Sequence, residues 1–173
     1  MEIYSAITEV FQPKESFEIN KVLDNLWISN VYTAKNHHIL RDNNIKHVLS
    51  LYPVNLKPEF NQLYVNVYDF AGADIQKHFD QTFDFIEEHR NNGDAVLVHC
   101  HVGRSRAATI IIHYLMKKYK ISFEKAYNYL KSKRPIIHPN PGFRLQLKKA
   151  EERILKEDLT TEDTTLSLPE DLE

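Results

Sequence analysis

The single cysteine of this sequence lies between two segments with different hydrophobic patterns, and this order constrains the fold more than any other feature. Ahead of it, the apolar residues Ala95 to Val98 predict a short buried strand. Behind it, the residues from Ala107 to Lys118 have the apolar spacing of a helix. A loop that joins a strand to the N-terminus of a helix is a ready anion-binding site, because unpaired N–H groups and the helix dipole both point toward the ligand.

The loop itself carries side chains suited to one reaction, the attack of a thiolate on a phosphate. Gly103 allows the backbone to curve around a ligand, because glycine reaches φ values that other residues avoid. Arg106 presents a planar guanidinium that matches two phosphate oxygens at once. Cys100 is the candidate nucleophile, since the helix N-terminus and nearby positive charges favour its thiolate form. The candidate segment consists of His99, Cys100, His101, Val102, Gly103, Arg104, Ser105 and Arg106.

Two other interpretations of the cysteine are weaker. Lone cysteines are usually small buried hydrophobic residues, but the glycine and arginine at these spacings favour a nucleophile. A metal site on His99, Cys100 and His101 is excluded, because neighbouring side chains of an extended segment point to opposite sides and do not converge on one ion. We therefore expect no metal and no cofactor. We also expect His99 to be a buried hydrogen-bonding residue, and Ser105 to form a hydrogen bond within the loop.

Cleavage of a phosphate ester also needs a proton for the leaving oxygen, so a carboxylic acid must reach the loop from elsewhere in the chain. Asp69 follows the alternating segment Leu63 to Val67, which places it at the sheet edge where the cysteine loop begins. Asp74 is the alternative, although an aspartate at the start of the next predicted helix is typical of an N-cap. Asp69 is therefore the candidate general acid.

Strand and helix patterns alternate along the chain and predict an α/β fold, with a central mixed, mostly parallel sheet and helices on both of its faces. Residues 22–28 predict a hairpin with its turn at Asp24–Asn25. The other predicted elements are a helix over 33–41, strands over 45–51 and 63–67, a helix over 74–90, a strand over 95–99 and helices over 106–119, 122–134 and 142–156. The last helix is expected to bury Phe143, Leu145, Leu147 and Ile154.

The composition is that of one globular domain, with 42% hydrophobic and 27% charged residues. We expect an N-terminal arm over residues 1–17, a folded domain over 18–156 and a disordered acidic tail over 157–173. The tail holds seven of the 24 acidic residues and none of the 22 Lys and Arg residues. The rest of the chain is therefore basic, which is typical of a protein that binds anionic groups.

Location and partners can also be inferred from the sequence. The N-terminal residues lack the basic and then apolar pattern of a signal peptide, and the most apolar stretch, residues 107–116, is too short to span a bilayer. A single cysteine suits a reducing compartment. We therefore expect a cytoplasmic protein, with the nucleus as an open alternative. The lysine-rich stretches 117–120 and 131–134 lie at predicted helix ends, where such charges are common, so we expect no nucleic acid partner.

The loop resembles the Cys-x5-Arg signature of the protein tyrosine phosphatase superfamily, and further segments resemble small dual specificity phosphatases. These segments are residues 25–29, 45–50, 69–79 and 134–143. The resemblance implies a protein tyrosine phosphatase-like fold and a phosphocysteine intermediate, formed when Cys100 attacks phosphorus without the help of a metal. It also implies that Arg106 and the N–H groups of residues 101–106 bind the phosphate oxygens. Asp69 is then the acid that protonates the leaving group, and Asn140 braces the loop.

The resemblance further implies phosphorylated proteins as substrates, with hydrolysis of phosphotyrosine and of phosphoserine or phosphothreonine. Two departures keep alternatives open. Ala107 stands where the family usually has Ser or Thr, whose hydroxyl helps the thiolate leave, so breakdown of the phosphoenzyme is expected to be slow. A pseudophosphatase that only binds phosphoproteins remains an alternative. His101 and Arg104 are basic, as in the phosphoinositide phosphatases of the superfamily, so a lipid substrate also remains open. The sequence does not indicate an oligomeric state.

Overall fold

The structure, a computed structural model, describes residues 16–158 and contains one five-stranded sheet. Its strands are β1 (Ile19–Leu23), β2 (Leu26–Ser29), β3 (Ile45–Ser50), β4 (Asn61–Tyr64) and β5 (Ala95–His99). They lie in the order β1-β2-β5-β3-β4, and only the β1–β2 pair is antiparallel. The predicted mixed, mostly parallel sheet is therefore confirmed. The predicted acidic tail, from residue 159 onward, and most of the predicted arm lie outside the described residues.

Helices cover both faces of this sheet, as the sequence predicts. They are α1 (Val31–Lys35), α2 (His37–Asp42), α3 (Phe79–Asn91), α4 (Arg106–Tyr119), α5 (Phe123–Lys133) and α6 (Pro141–Asp158). The four longer helices α3 to α6 enclose the larger hydrophobic core, and α1 and α2 enclose a smaller one on the opposite face. Within residues 16–158, no helix combines the length and the apolar character needed to cross a membrane.

The predicted hairpin is confirmed, and Asn25 in its turn has a φ of 59°. The helix predicted over 33–41 is instead two short helices that meet at Asn36. The side chain of Asn36 accepts hydrogen bonds from the N–H groups of His38 and Ile39, and thereby caps the second helix. Asparagine favours such local bonds over continued helix, so the break follows from this one residue.

Two other predicted elements are shorter than the sequence pattern indicates. The strand predicted over 63–67 ends at Tyr64, although Val65 and Val67 remain buried. The carbonyl of Val67 accepts a hydrogen bond from the Arg106 side chain and does not join the sheet ladder. The helix predicted from Asp74 begins as the short 3₁₀ helix Gln76–His78 and becomes α-helical only at Phe79.

The last helix buries three of the four residues predicted for its apolar face. Phe143, Leu147 and Ile154 are buried, whereas Leu145 is 56% exposed. The prediction for Leu145 was therefore wrong. Leu145 is two positions away from both Phe143 and Leu147, and a separation of two turns a side chain to a different side of a helix.

The start of α6 is fastened to the segment that follows Asp69. A Cβ atom on Gly142 would lie 1.8 Å from the carbonyl oxygen of Ala71, so this close approach requires glycine. One turn later, the side-chain oxygen of Gln146 accepts from the N–H groups of Ile75 and Gln76 at 3.0 and 2.9 Å. Its amide nitrogen donates to the carbonyl of Ala73 at 2.8 Å. The helix therefore fixes the position of this segment.

We expect Gly142→Ala to lower the free energy of unfolding by about 1–3 kcal/mol, because the added methyl group clashes with backbone atoms that cannot rotate away. Alanine is the better helix former, so a loss of stability can come only from this clash. Urea denaturation measures the change.

The matched control for this substitution is Gly72→Ala in the same segment. Its added Cβ would lie 2.8 Å from the ring of Phe70, a side chain that is exposed and free to turn. We expect a change within about 0.5 kcal/mol. Equal stability of Gly142→Ala and the wild type would contradict the role given to Gly142.

Candidate active site

Four consecutive carbonyl groups of the cysteine loop (residues 99–106), those of residues 101–104, point outward to partners in other segments. Because the N–H of a trans peptide points opposite to the C=O of the same unit, the N–H groups of these units point to the inside of the loop. The hydrogen bonds run from Val31 N to His101 O (3.0 Å), from Arg134 Nη2 to Val102 O (2.9 Å), from Arg134 Nε to Gly103 O (2.8 Å), and from His138 N to Arg104 O (2.8 Å).

Arg134 holds two of these carbonyls, a role that no sequence pattern predicts. Its side chain is buried, with 2% exposure. It also donates to Asn20 Oδ1 at 2.6 Å and to Glu18 Oε2 at 2.9 Å, which ties the loop to the first strand. Burial lowers the pKa of Arg134, while its bond to Glu18 acts in the opposite direction. The only signal in the sequence was its place at the start of one of the family-like segments.

Gly103 has the positive φ that the sequence analysis predicts, 71°. A Cβ atom there would lie 2.4 Å from the backbone oxygen of Ser29, so the loop also packs too tightly for a side chain. The Gly103 N–H points to the inside of the loop and donates to Cys100 Sγ at 3.2 Å. The sulfur therefore lies within hydrogen-bond distance of a donor on the inside of the loop.

Cys100 is 2% exposed and lies at the end of β5, where it lines a cleft of about 510 Å³. The cleft brings together the sequence-predicted residues of the loop, Asp69 and Asn140. Its lining consists of Asp69, Cys100, His101, Val102, Arg104, Ser105, Arg106, His138, Asn140 and Pro141.

The guanidinium of Arg106 is held at one of its nitrogens, Nη1. Its Nη1 donates to the backbone oxygens of Leu51 and Val67 at 2.7 and 3.2 Å. Its Nε is buried and has no hydrogen-bond partner among the described residues. A buried N–H without an acceptor is costly, and an oxyanion bound in the cleft would supply one.

Tyr52 is a second residue at this site that the sequence analysis did not find. Its ring lies 5.6 Å from the guanidinium carbon of Arg106 and stacks on the ring of His101 at 4.8 Å. The tyrosine ring therefore contacts both of these side chains. Nothing in the sequence distinguishes it from the other eight tyrosines.

His99 is fully buried behind the cysteine and forms part of a hydrogen-bond chain. Gln62 donates to the Ser50 hydroxyl at 2.9 Å, so that hydroxyl can direct its own hydrogen toward His99 Nε2, which is 2.8 Å away. The proton of the neutral ring then lies on Nδ1, which donates to Cys100 O at 3.3 Å. Burial lowers the pKa of His99 to about 4, so the ring is neutral near pH 7.

Asp69 reaches the cleft from the loop after β4 and meets both Ser105 and Asn140. Its Oδ1 accepts from the Ser105 hydroxyl at 2.7 Å and from Asn140 Nδ2 at 2.9 Å. The expectation that Ser105 bonds within the loop was wrong, because its hydroxyl turns toward this carboxylate and accepts from Asn140 N. The rival, Asp74, is not among the lining residues, and its carboxylate accepts from Lys77 N at the start of the 3₁₀ helix.

Comparison with known proteins gives the same family for sequence and structure. Residues 26–153 match the model of the dual specificity phosphatase catalytic domain. Dual specificity protein phosphatase 1 of Arabidopsis thaliana is 38% identical over 130 residues, which are 73% of this chain and 65% of that protein. The crystal structure of human DUSP28 superposes with a TM-score of 0.76 at 31% identity, and covers 79% of this chain and 95% of that one.

A probable dual specificity protein phosphatase of Dictyostelium discoideum is 41% identical over 138 residues, which are 78% of this chain but 34% of that protein. The chain thus spans between about a third and two thirds of the length of these two curated relatives. The family model covers most of the chain, and the solved structure reproduces its fold. The chain therefore belongs to the dual specificity phosphatase family, and residues 26–153 correspond to its catalytic domain.

Proposed function

We propose that this protein is a cysteine-dependent phosphatase that hydrolyses phosphotyrosine and phosphoserine or phosphothreonine in proteins. One observation carries the proposal: the carbonyls of the cysteine loop are paired on the outside, which leaves its N–H groups around Cys100 Sγ. Such a ring of donors, together with the unpaired Nε of Arg106, fits the three non-bridging oxygens of a phosphate. Membership of the family supports the same activity.

In the first step, Cys100 Sγ attacks phosphorus, a sulfur–phosphorus bond forms and the bond to the leaving oxygen breaks. Asp69 gives its proton to that oxygen. In the second step, Asp69 takes a proton from water, the water oxygen attacks phosphorus, and the thiolate leaves as inorganic phosphate forms. Arg106 and the loop N–H groups stabilise the charge on the oxygens in both steps.

The contacts of Asp69 fit an acid that changes its protonation state. Both hydrogen bonds to this carboxylate end on Oδ1, from Ser105 and Asn140. Its Oδ2 has no hydrogen-bond partner in the part of the chain that the structure describes, so this oxygen can carry the proton toward the cleft. The two bonds hold the carboxyl group in place while the proton moves.

The proposal is tested with phosphotyrosine, phosphoserine and phosphothreonine peptides, p-nitrophenyl phosphate and short-chain phosphoinositides. We expect hydrolysis of the peptides by the wild type. Cys100→Ser should reduce turnover to background while phosphopeptide binding remains, because the ring of donors does not depend on the sulfur. Release of inorganic phosphate and peptide binding by fluorescence anisotropy measure the two properties. Turnover by Cys100→Ser would contradict the mechanism, and exclusive hydrolysis of the phosphoinositides would replace the protein substrate by a lipid.

The role of Asp69 predicts that Asp69→Asn lowers kcat by about 10²–10³-fold for substrates with a poor leaving group. The amide can still accept the two hydrogen bonds at Oδ1, so the loop should keep its shape. Steady-state kinetics of an alkyl phosphate compared with p-nitrophenyl phosphate measure the effect, since the second substrate needs less protonation. Asp74→Asn is the matched control and should leave kcat near the wild-type value. A larger loss in the control would assign the acid to Asp74.

Ala107 leads to a prediction about the second step. This residue is fully buried in the first turn of α4, directly after Arg106. If the family hydroxyl at this place helps the thiolate leave, Ala107→Ser should raise steady-state turnover by about tenfold, which a single hydrogen bond to a charged group can supply. Stopped-flow measurements should then show a smaller initial burst of product.

The control for a new hydroxyl in this buried turn is Ala108→Ser, at the next position and equally buried. It should leave the burst unchanged. Unchanged turnover in Ala107→Ser would show that breakdown of the phosphoenzyme does not depend on this position.

A further inference from the structure

A strip of basic side chains leads from the cleft along the connection between α5 and α6. We call Arg104, Lys131, His138 and Arg144 the basic strip. Arg104 and His138 line the cleft itself, and their backbones are joined by the 2.8 Å bond from His138 N to Arg104 O. Arg144 follows on the first turns of α6 and donates to His138 Nδ1 at 2.9 Å. The strip thus begins beside the phosphate-binding loop and continues away from it.

Three of the four side chains of the strip, those of Lys131, His138 and Arg144, are held by hydrogen bonds. Arg144 Nε donates to Pro139 O at 3.0 Å, and its guanidinium lies over the ring of Tyr127 at 5.3 Å. Lys131 Nζ donates to Ile137 O at 2.8 Å. Because His138 Nδ1 accepts a hydrogen bond from Arg144, the neutral imidazole carries its proton on Nε2. The Nε2–H group can then donate a hydrogen bond to a ligand. Ordering these groups before binding reduces the entropy lost on binding.

The strip has no neutralising partner within residues 16–158. None of its three permanent cations forms an ion pair with a carboxylate of that part of the chain. The pKa of His138 is lowered chiefly by the charge of Arg144, then by desolvation, and further by the charges of Arg104 and Lys131. Like charges gathered without a counter-charge create a positive potential that attracts anions.

We propose that the basic strip binds a second acidic group of the substrate, a phosphate or a carboxylate on a residue close in sequence to the phosphorylated residue in the cleft. This inference rests on the proposed function and names the class of phosphoprotein that the site prefers. The exposed apolar side chains of Val102 and Ile136 lie in the two segments that carry Arg104 and His138, the cysteine loop and the connection between α5 and α6. They offer contact to the intervening side chains of a polypeptide, which favours a phosphoprotein over a lipid headgroup.

The test uses binding, so that it does not depend on hydrolysis. Peptides of one sequence carry a phosphotyrosine and, at each position within three residues on either side, phosphoserine, Glu or Ala. The Kd values for Cys100→Ser are compared by fluorescence anisotropy. At the best position we expect phosphoserine and Glu to bind about tenfold tighter than Ala. On the same background, Arg144→Glu should reduce this preference to about twofold or less.

The matched control is Lys149→Glu, the same charge change at an exposed position of α6 outside the strip. It should keep the tenfold preference. Arg144→Gln serves as a milder second variant in case the reversed charge disturbs folding, and should lose at least about half of the preference. Comparison of the Kd values of the phosphoserine and Glu peptides shows whether the strip requires a phosphate or accepts any acidic group.

Three outcomes would decide against the inference. The first is that Cys100→Ser shows no preference for peptides with the second acidic group. The second is that Arg144→Glu and Lys149→Glu show the same preference. The third is that the Arg144 variants change only the binding of vesicles that contain phosphoinositides. The last outcome would assign the strip to a membrane surface. A peptide preference that depends on Arg144, in a protein whose wild type hydrolyses no phosphoester, would support the strip and refute the proposed function.

Discussion

The shape of the cysteine loop depends on one buried guanidinium behind it. Arg134 takes up two consecutive carbonyls of the loop, and thereby turns the attached N–H groups toward the sulfur. Without this donor, the carbonyls of Val102 and Gly103 would lose their partners inside the protein, and a buried carbonyl without a donor costs about 1–3 kcal/mol. The anion site is therefore a property of the peptide backbone, imposed by a side chain on the side away from the ligand.

Two arginines carry positive charge near the sulfur, whereas the buried His99 does not. Burial keeps the ring of His99 neutral near pH 7, and its two nitrogens are used in a hydrogen-bond chain from Gln62 to the backbone of Cys100. Arg106 and Arg134 keep their charge at any physiological pH. The positive charge that Arg106 and Arg134 place near the sulfur therefore does not change in the pH range where a histidine titrates.

The main elements could be predicted because their patterns are local. The strand before Cys100 and the helix after Arg106 follow from uninterrupted apolar spacing, and both match the structure. Two predicted elements differ from the structure for identifiable reasons. At Asn36, the side chain competes with the backbone for hydrogen bonds and ends a helix. At Val67, the carbonyl accepts a hydrogen bond from the distant Arg106 side chain, so it is not available to a neighbouring strand. Arg134 and Tyr52 were missed because their importance lies in contacts with residues far away in the chain, which no spacing rule records.

The bonds that organise the cysteine loop also link the site to the order in which the chain is made. Gly103 is joined to Arg134, 31 positions later, and Arg134 to Glu18, 116 positions earlier. Loops of such length close slowly, because their entropy must be overcome before the contacts form. During translation, Cys100 is added to the chain before Arg134 and Asn140. A nascent chain that ends before Arg134 therefore lacks the donor that orders the loop, and the anion site takes shape only after the segment that carries Arg134 has docked.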